Sequence, residues 1–320
     1  MKLPKLFAGL ALALFATSLL AQGYPNKPIR LIVPFAAGGT SDILARQIGA
    51  KLSEAWGQPV IVEAKTGANG NVGAEFVARS APDGYTLLLT DLGALAINPS
   101  VYPNMAFDPV KDFAAVNFVA YSPHVLGVHP SVPVNTVTDL IAHAKANPGR
   151  LNFATSGLGG APHLAGVDLG LRSGSQWTFI HYKGGSQAVI DVAAGQANLI
   201  MNGMIATYPQ VKAGKIRILA VSGAKRVAQI PDVPTIGEFV PGFLSGSWQG
   251  ILAPAGTPRD VVARLNSELS RILGTADMKE RLLGQGAEVL TDTPEALAAW
   301  IAGEKAKWAK VIKDSGIKLE

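Results

Sequence analysis

The segment from Ile29 to Gly57 joins a strand signal to a helix signal through a short glycine-containing loop. Residues 29–33 are almost all apolar, and apolar side chains then recur four apart at residues 44, 48, 52 and 56. Between them, Gly38 and Gly39 permit a sharp turn. Because the first N–H groups of a helix lack partners within it and lie at the positive end of its dipole, this joint predicts an anion-binding loop. A tight turn without a ligand is the alternative.

The N-terminus has the pattern of a secretory signal peptide. Lysines at positions 2 and 5 precede an apolar block from Leu6 to Leu20, and Ala21 offers a small residue for cleavage. We therefore predict a signal peptide over residues 1–21, cleaved after Ala21, and an exported mature chain.

The composition excludes several classes of protein and of site. The chain has no cysteine, which rules out disulfide scaffolds, thiol nucleophiles and cysteine-ligated metals. Its five histidines are dispersed without metal-ligand spacing, so no metal or cofactor is expected. The basic residues are scattered rather than clustered, which argues against a nucleic-acid partner.

Strand and helix signals alternate along most of the chain, which predicts α/β architecture with mostly parallel sheets flanked by helices. Two strand-like segments, 124–128 and 248–252, bracket a middle block and are interpreted as crossings between two domains. We predict a discontinuous domain 1 (22–123 and 247–320) and a domain 2 (124–246).

Ligands of open α/β sheets bind beyond the carboxyl ends of the strands, where loops enter helices. Five such loops are visible in the sequence, two in the first domain and three in the middle block, as a ligand held between two lobes would require. Their donors are mostly neutral: glycine N–H groups, hydroxyls and an amide. The candidate ligand-binding residues are Phe35, Ala37, Gly38, Gly39, Thr40, Asp42, Thr90, Asp91, Ser156, Gly157, His163, Tyr182, Lys183, Gly184 and Asn202.

Several candidates have structural alternatives. Asp42 is placed to cap its own helix, and His163 to cap or pack at a helix start. Lys183 would pair with an anion or lie in solvent. Asp91 is the awkward candidate, because its carboxylate would repel an anionic ligand. It would point away, pair with Lys183, or meet an ammonium or hydroxyl group of the ligand.

Catalytic motifs are largely missing. The sequence has no G-x-S-x-G elbow and no G-x-x-x-x-G-K-[ST] phosphate loop. A hydrolase would have to use Ser156, His163 and Asp42, if the fold united them. No catalytic residue is predicted, and a non-enzymatic function is favoured.

Motifs spread along the mature chain resemble the Bug-type family of periplasmic receptors that serve tripartite tricarboxylate transporters. The matching stretches are Tyr24–Phe35 with Ala37-Gly38-Gly39 and Asp42, Pro82–Leu87, Ile97–Pro99, Ser156-Gly157 with His163-Leu164, Tyr182–Gly184, Lys225-Arg226, Pro231–Thr235 and Leu252–Pro258.

This resemblance implies a periplasmic, two-lobed binding-protein fold that closes on a small organic carboxylate, such as a dicarboxylate or an aromatic acid. It implies delivery of that ligand to the membrane permease subunits of the transporter; a sensor kinase ectodomain is the alternative partner. The loops at 35–42 and 156–163 are implied to hold carboxylate groups. Two departures affect the ligand: Asn202 stands where relatives often have aspartate, and Asp91 and Leu92 stand where they often have small hydroxyl or glycine residues.

Overall fold

A computed structural model describes residues 23–102 and 104–315 of the chain. The predicted signal peptide and its cleavage site lie outside the described residues. In the described ranges, no helix has the length and apolar character needed to cross a membrane.

Helices and strands alternate as the sequence predicts. The helices are α1 Thr40–Trp56, α2 Asn71–Ala78, α3 Leu92–Val101, α4 Val137–Ala146, α5 Ala161–Ser173, α6 Gly185–Ala193, α7 Met204–Lys212, α8 Arg259–Leu273, α9 Ala276–Gly284 and α10 Pro294–Ser315. The strands are β1 Ile29–Val33, β2 Val60–Ala64, β3 Thr86–Asp91, β4 Phe113–Ser122, β5 His124–Val128, β6 Asn152–Thr155, β7 Thr178–His181, β8 Leu199–Gly203, β9 Arg217–Val221, β10 Ser247–Pro254 and β11 Glu288–Val289.

The first lobe is built on a six-stranded sheet in the order β11-β4-β10-β3-β1-β2. Strand β1 pairs in parallel with both β2 and β3, whereas β10 runs antiparallel between β3 and β4. Helices cover both faces, so β1 is apolar on each: Leu31 packs in the core beneath α1 and α8, and Ile32 packs in the core beneath α10.

The second lobe is built on a five-stranded sheet in the order β7-β6-β8-β5-β9. Strands β6, β7 and β8 are parallel, and β5 runs antiparallel to β8 and β9. One core lies between this sheet and helices α4 and α5, and a second core contains the apolar side of α6. The fold is thus two-lobed and α/β, as expected. The prediction of mostly parallel sheets is wrong, because β10 and β5, the strands next to the crossings, run antiparallel to both of their neighbours and make each sheet mixed.

The chain passes between the lobes at two neighbouring crossings. Strand β4 leads through Pro123 into β5, and the segment after β9 returns to the first lobe at β10. The Ser222 hydroxyl accepts from the His124 N–H (2.9 Å) and donates to the Ser245 carbonyl (2.7 Å), which ties the two crossings together. The domain limits at 123/124 and 246/247 stay a prediction, and the two lobes are defined here by their sheets.

Candidate functional site

A cavity of about 50 Å³ lies between the two lobes. The first lobe contributes Phe35, Gly39, Thr40, Ser41, Asp91, Ser247 and Gln249. The second lobe contributes His124, Ser156, Pro162, Gly185, Asn202 and Gly203. Of the predicted ligand-binding residues, the fold therefore brings six together here: Phe35, Gly39, Thr40, Asp91, Ser156 and Asn202.

Five helices of the described chain begin at this cavity. Helices α1, α5, α6 and α7 start there after the N-cap glycines 39, 160, 184 and 203, none of which has a side-chain capping bond. Only α3 begins with a side-chain cap, in which Asp91 accepts a hydrogen bond from the Gly93 N–H. The aligned dipoles of the other four helices favour an anion. At α7 the first N–H, that of Met204, already donates to Ser122 Oγ and to the Pro123 carbonyl, both at 3.2 Å.

The loop before α1 is braced from behind by Asp42. One carboxylate oxygen accepts the Gly38 N–H (2.9 Å), and Arg46 one turn later in α1 contacts both oxygens at 3.0 Å. This pairing raises the pKa of Arg46. Asp42 is buried and does not line the cavity. In this structure Asp42 therefore braces its own loop, and its contact with the ligand stays a prediction.

Asp91 ends a directed chain of hydrogen bonds on the cavity wall. The Ser41 hydroxyl donates to Gln249 Oε1 (2.7 Å), and Gln249 Nε2 donates to Ser247 Oγ (2.6 Å). The Ser247 hydroxyl then donates to Asp91 Oδ2, while Asp91 Oδ1 accepts the Gly93 N–H at 2.8 Å. We call Ser41, Gln249, Ser247 and Asp91 the Asp91 relay. Both oxygens of this carboxylate therefore accept hydrogen bonds from neutral donors.

Burial raises the pKa of Asp91 to about 6, although hydrogen bonds from Ser247 and from backbone N–H groups oppose the shift. Among the described residues that line the cavity, none is lysine or arginine. The hydrogen-bond partners of Asp91 are Ser247, Gly93 and Gln249, so the alternative of pairing with Lys183 is wrong.

His124 stands where the chain crosses into the second lobe. Its ring Nδ1 lies 2.7 Å from Ser245 Oγ on the returning segment, and only 1% of the residue is exposed. Burial lowers the pKa of His124 to about 3, so it is neutral at physiological pH. This part of the cavity wall therefore carries no charge.

The second lobe supplies the remaining polar groups through Ser156 and Asn202. Ser156 is partly exposed at the end of β6, where its hydroxyl faces the cavity. Asn202 is buried at the end of β8, and its Nδ2 donates to Thr207 Oγ1 at 3.2 Å. Thr207 in turn donates to the Gly203 carbonyl at 2.9 Å. These bonds fix the Asn202 amide at the start of α7.

His163 braces its own loop and does not line the cavity. Its Nδ1 accepts the Gly159 N–H at 3.0 Å, and its ring lies edge-on against Phe179 and His181. Burial lowers the pKa of His163 to about 4. In this structure His163 therefore caps and packs, and its contact with the ligand stays a prediction. Asp42 and His163 have different hydrogen-bond partners. The structure therefore does not bring Ser156, His163 and Asp42 together as a hydrolase would need.

The loop after β7 contacts the first lobe, and of its last residues only Gly185, at the start of α6, lines the cavity. Tyr182 donates its hydroxyl to Asp191 (2.8 Å), Lys183 is exposed, and the backbone of Gly184 abuts Ala36. The other predicted residues outside the cavity lining lie next to it. Ala37 and Gly38 are exposed at a loop tip, Thr90 is buried behind Asp91, and Gly157 packs against Asn69.

Sequence reasoning missed seven residues of the lining: Ser41, His124, Pro162, Gly185, Gly203, Ser247 and Gln249. Four of these lie in or beside the loops that were identified. His124, Ser247 and Gln249 lie on the crossing strands, which were recognised as connections but not as walls. The segments that cross between two lobes close one side of the cleft. Strands predicted as crossings are therefore themselves candidates for the cavity lining.

Within the described residues, no group of three or more His, Asp or Glu is arranged to hold a metal ion.

Known proteins resemble this chain over almost its whole length. A family model for the tripartite tricarboxylate transporter family receptor matches residues 44–317. BugT of Bordetella pertussis is 35% identical over 313 residues, which cover 97% of this chain and 96% of BugT.

Solved structures of similar proteins share the fold. The periplasmic binding protein BugD superposes with a TM-score of 0.88 at 36% identity, covering 92% of this chain and 99% of BugD. A Rhodopseudomonas palustris protein solved with adipate superposes with a TM-score of 0.89 at 38% identity, covering 92% of this chain and 99% of that protein. MatC of the same species, with bound malate, superposes with a TM-score of 0.86 at 31% identity, covering 90% of this chain and 100% of MatC. These relatives are binding proteins and not enzymes, and this chain belongs to the family of tripartite tricarboxylate transporter receptors.

Proposed function

We propose that this protein captures a small organic carboxylate outside the cytoplasm and delivers it to the membrane permease subunits of a tripartite tricarboxylate transporter. The observation that carries the proposal is the convergence of four helix N-termini without side-chain caps on one cavity, from both lobes. Relatives solved with adipate and with malate support the same ligand class.

The carboxylate would bind by hydrogen bonds and helix dipoles rather than by an ion pair. Thr40 and Gly203 mark the starts of α1 and α7 on opposite lobes, and a Cβ on Gly203 would lie 2.7 Å from Thr40 Oγ1. The starts of α1 and α7 thus touch across the cleft, and one anionic group would lie beside this contact, where both helix N-termini face it. Ser156 and Asn202 would add donors from the second lobe. The cavity of about 50 Å³ favours a compact acid, while an aromatic acid would require the lobes to part further.

A thermal-shift screen of the mature protein tests the ligand class. The panel contains mono-, di- and tricarboxylates, aromatic acids and amino acids, and the recovered ligand is analysed for chemical change. A receptor that binds only when folded gains about 2.7 kcal/mol at a 100-fold excess of ligand over Kd, which is easily visible. A shift for acids, with the ligand recovered unchanged, is expected. Stability unaffected by every acid would contradict the proposal.

The membrane partner is tested separately. The loaded receptor should bind detergent-solubilised permease subunits of a tripartite tricarboxylate transporter more tightly than the unloaded receptor does. Binding to a sensor kinase ectodomain in place of the permease would favour the alternative partner and leave the ligand class intact.

A further inference from the structure

The Asp91 carboxylate is the one acidic group among the described residues that line the cavity, and no cation of the lining faces it. An acid whose only charges are negative would have to bring them beside this carboxylate. Four helix N-termini favour an anion in the same cavity. The wall therefore presents one region suited to negative charge and one suited to positive charge.

The direction of the hydrogen bonds fixes Asp91 as an acceptor. Gln249 uses its Nε2 to donate to Ser247 and its Oε1 to accept from Ser41, so the Ser247 hydroxyl proton is directed to Asp91 Oδ2. The Gly93 N–H occupies Oδ1. Neutral donors thus fix the position of the carboxylate but supply no positive charge, so its ionised form is left to bind a cationic donor.

We propose that Asp91 selects ligands that carry a protonated amine in addition to the carboxylate, so that the cavity takes a compact amino acid. This inference rests on the proposed function and adds a specificity-determining residue to it. The ligand's carboxylate would face the starts of α1 and α7, and its ammonium group would donate to Asp91. A buried carboxylate and a bound ammonium neutralise each other, whereas a plain dicarboxylate would leave Asp91 uncompensated.

Two matched ligand series test the proposal by calorimetry at pH 7.5. Succinate, malate and aspartate are four-carbon acids that carry hydrogen, hydroxyl or ammonium, respectively, at one carbon. Propionate, lactate and alanine are three-carbon acids that differ in the same way. The wild type should bind the amino member of at least one series about tenfold or more tighter than the unsubstituted acid, the contribution expected of a charged hydrogen bond. Asp91→Asn should abolish that preference, and Asp91→Ser serves if the amide variant folds poorly.

Asp232→Asn is the matched control, because it removes an equal charge from an exposed position of the second lobe. It should keep the wild-type preference. The inference would be overturned if the wild type bound aspartate no more tightly than succinate and alanine no more tightly than propionate. That result would leave intact the proposed function as a carboxylate receptor. An amino preference that survives in Asp91→Asn would overturn the role of Asp91. If neither series binds, the inference fails; an acid found in the thermal-shift screen would still support the proposed function.

Discussion

The backbone of Gly184 in the second lobe lies so close to Ala36 in the first that a Cβ on Gly184 would be 2.8 Å from the Ala36 Cβ and 2.9 Å from its N atom. Gly184 has φ 177° and ψ 162°, an extended conformation that any residue can adopt. The glycine is therefore required by the contact between lobes and not by the local backbone.

Gly184→Ala should weaken ligand binding, since the cavity lies between the two lobes that this contact joins. The added methyl group clashes only when the lobes are together, and overpacking costs about 1–3 kcal/mol, which corresponds to about 5–150-fold in Kd. Calorimetry with the best acid from the screen measures the effect. Gly303→Ala is the control, because a Cβ at that exposed helix position meets nothing within 4 Å. Wild-type affinity in Gly184→Ala would show that binding does not need this approach of the lobes.

Asp91→Asn should stabilise the free protein more at pH 7.5 than at pH 4. The folded-state pKa of Asp91 is about 6, above the ordinary value of about 3.9, so the folded chain keeps a proton that the unfolded chain releases between these values. The contribution of Asp91 to stability therefore falls as pH rises through that window, by up to about 3 kcal/mol. Asparagine retains the N-cap acceptor for Gly93 without the buried charge.

Urea unfolding of both proteins at pH 4, 5, 6 and 7.5, without ligand, measures this difference. The gain from Asp91→Asn should grow across the series and level off above pH 6. A gain that is the same at every pH would mean that the buried carboxylate titrates equally in the folded and unfolded chains.

The sequence predicted those parts of the fold that depend on local signals. The apolar run of β1 and the four-residue apolar spacing in α1 are present in the structure, and α1 ends before Gly57, which caps it in a left-handed conformation. Helix α3 was missed, because Asp91-Leu92-Gly93 resembles a loop and Pro99 lies within the helix. Strand β4 was also missed: its ten residues contain Asn117 and Ser122, whose polar side chains are buried through tertiary contacts.

The candidate site was predicted less completely than the fold, for a geometrical reason. The sequence locates the loops that follow strands, but it does not tell which side of a loop faces the ligand. Asp42 and His163 lie in the right loops and turn back to accept N–H groups of those loops, at Gly38 and Gly159. Ser247 and Gln249 reach the cavity from an antiparallel strand and follow Asp91 by 156 and 158 residues in the sequence, so only the folded sheet brings them to Asp91.

His124 should make the protein sensitive to acid. Its folded-state pKa of about 3 lies below the ordinary value of about 6.5. Between these pH values His124 is therefore protonated in the unfolded chain but neutral in the folded chain. Stability should therefore be lost as pH falls through this window, by up to about 5 kcal/mol at pH 3. His124→Asn, whose amide can still bond Ser245, should flatten this part of the pH profile.

Urea unfolding between pH 7.5 and pH 4 compares His124→Asn with the wild type and with His143→Asn, which removes a half-exposed histidine from α4. The wild type and His143→Asn should lose stability together, and His124→Asn should lose less. If all three curves are parallel, burial of His124 does not control the acid response.

Ser156→Ala should weaken binding of the carboxylate ligand. The Ser156 hydroxyl lines the cavity from the second lobe, and a neutral hydrogen bond contributes about 0.5–1.5 kcal/mol, so a loss of about 1 kcal/mol or a fivefold rise in Kd is expected. The side chain is only partly buried in the free protein, and its removal should therefore change the unfolding midpoint little. Ser267→Ala removes an exposed hydroxyl on α8 and should leave both quantities at wild-type values. The control ligand is one whose binding is weakened by Gly184→Ala. If its Kd is unchanged in Ser156→Ala, the carboxylate lies nearer the starts of α1 and α7 than the end of β6.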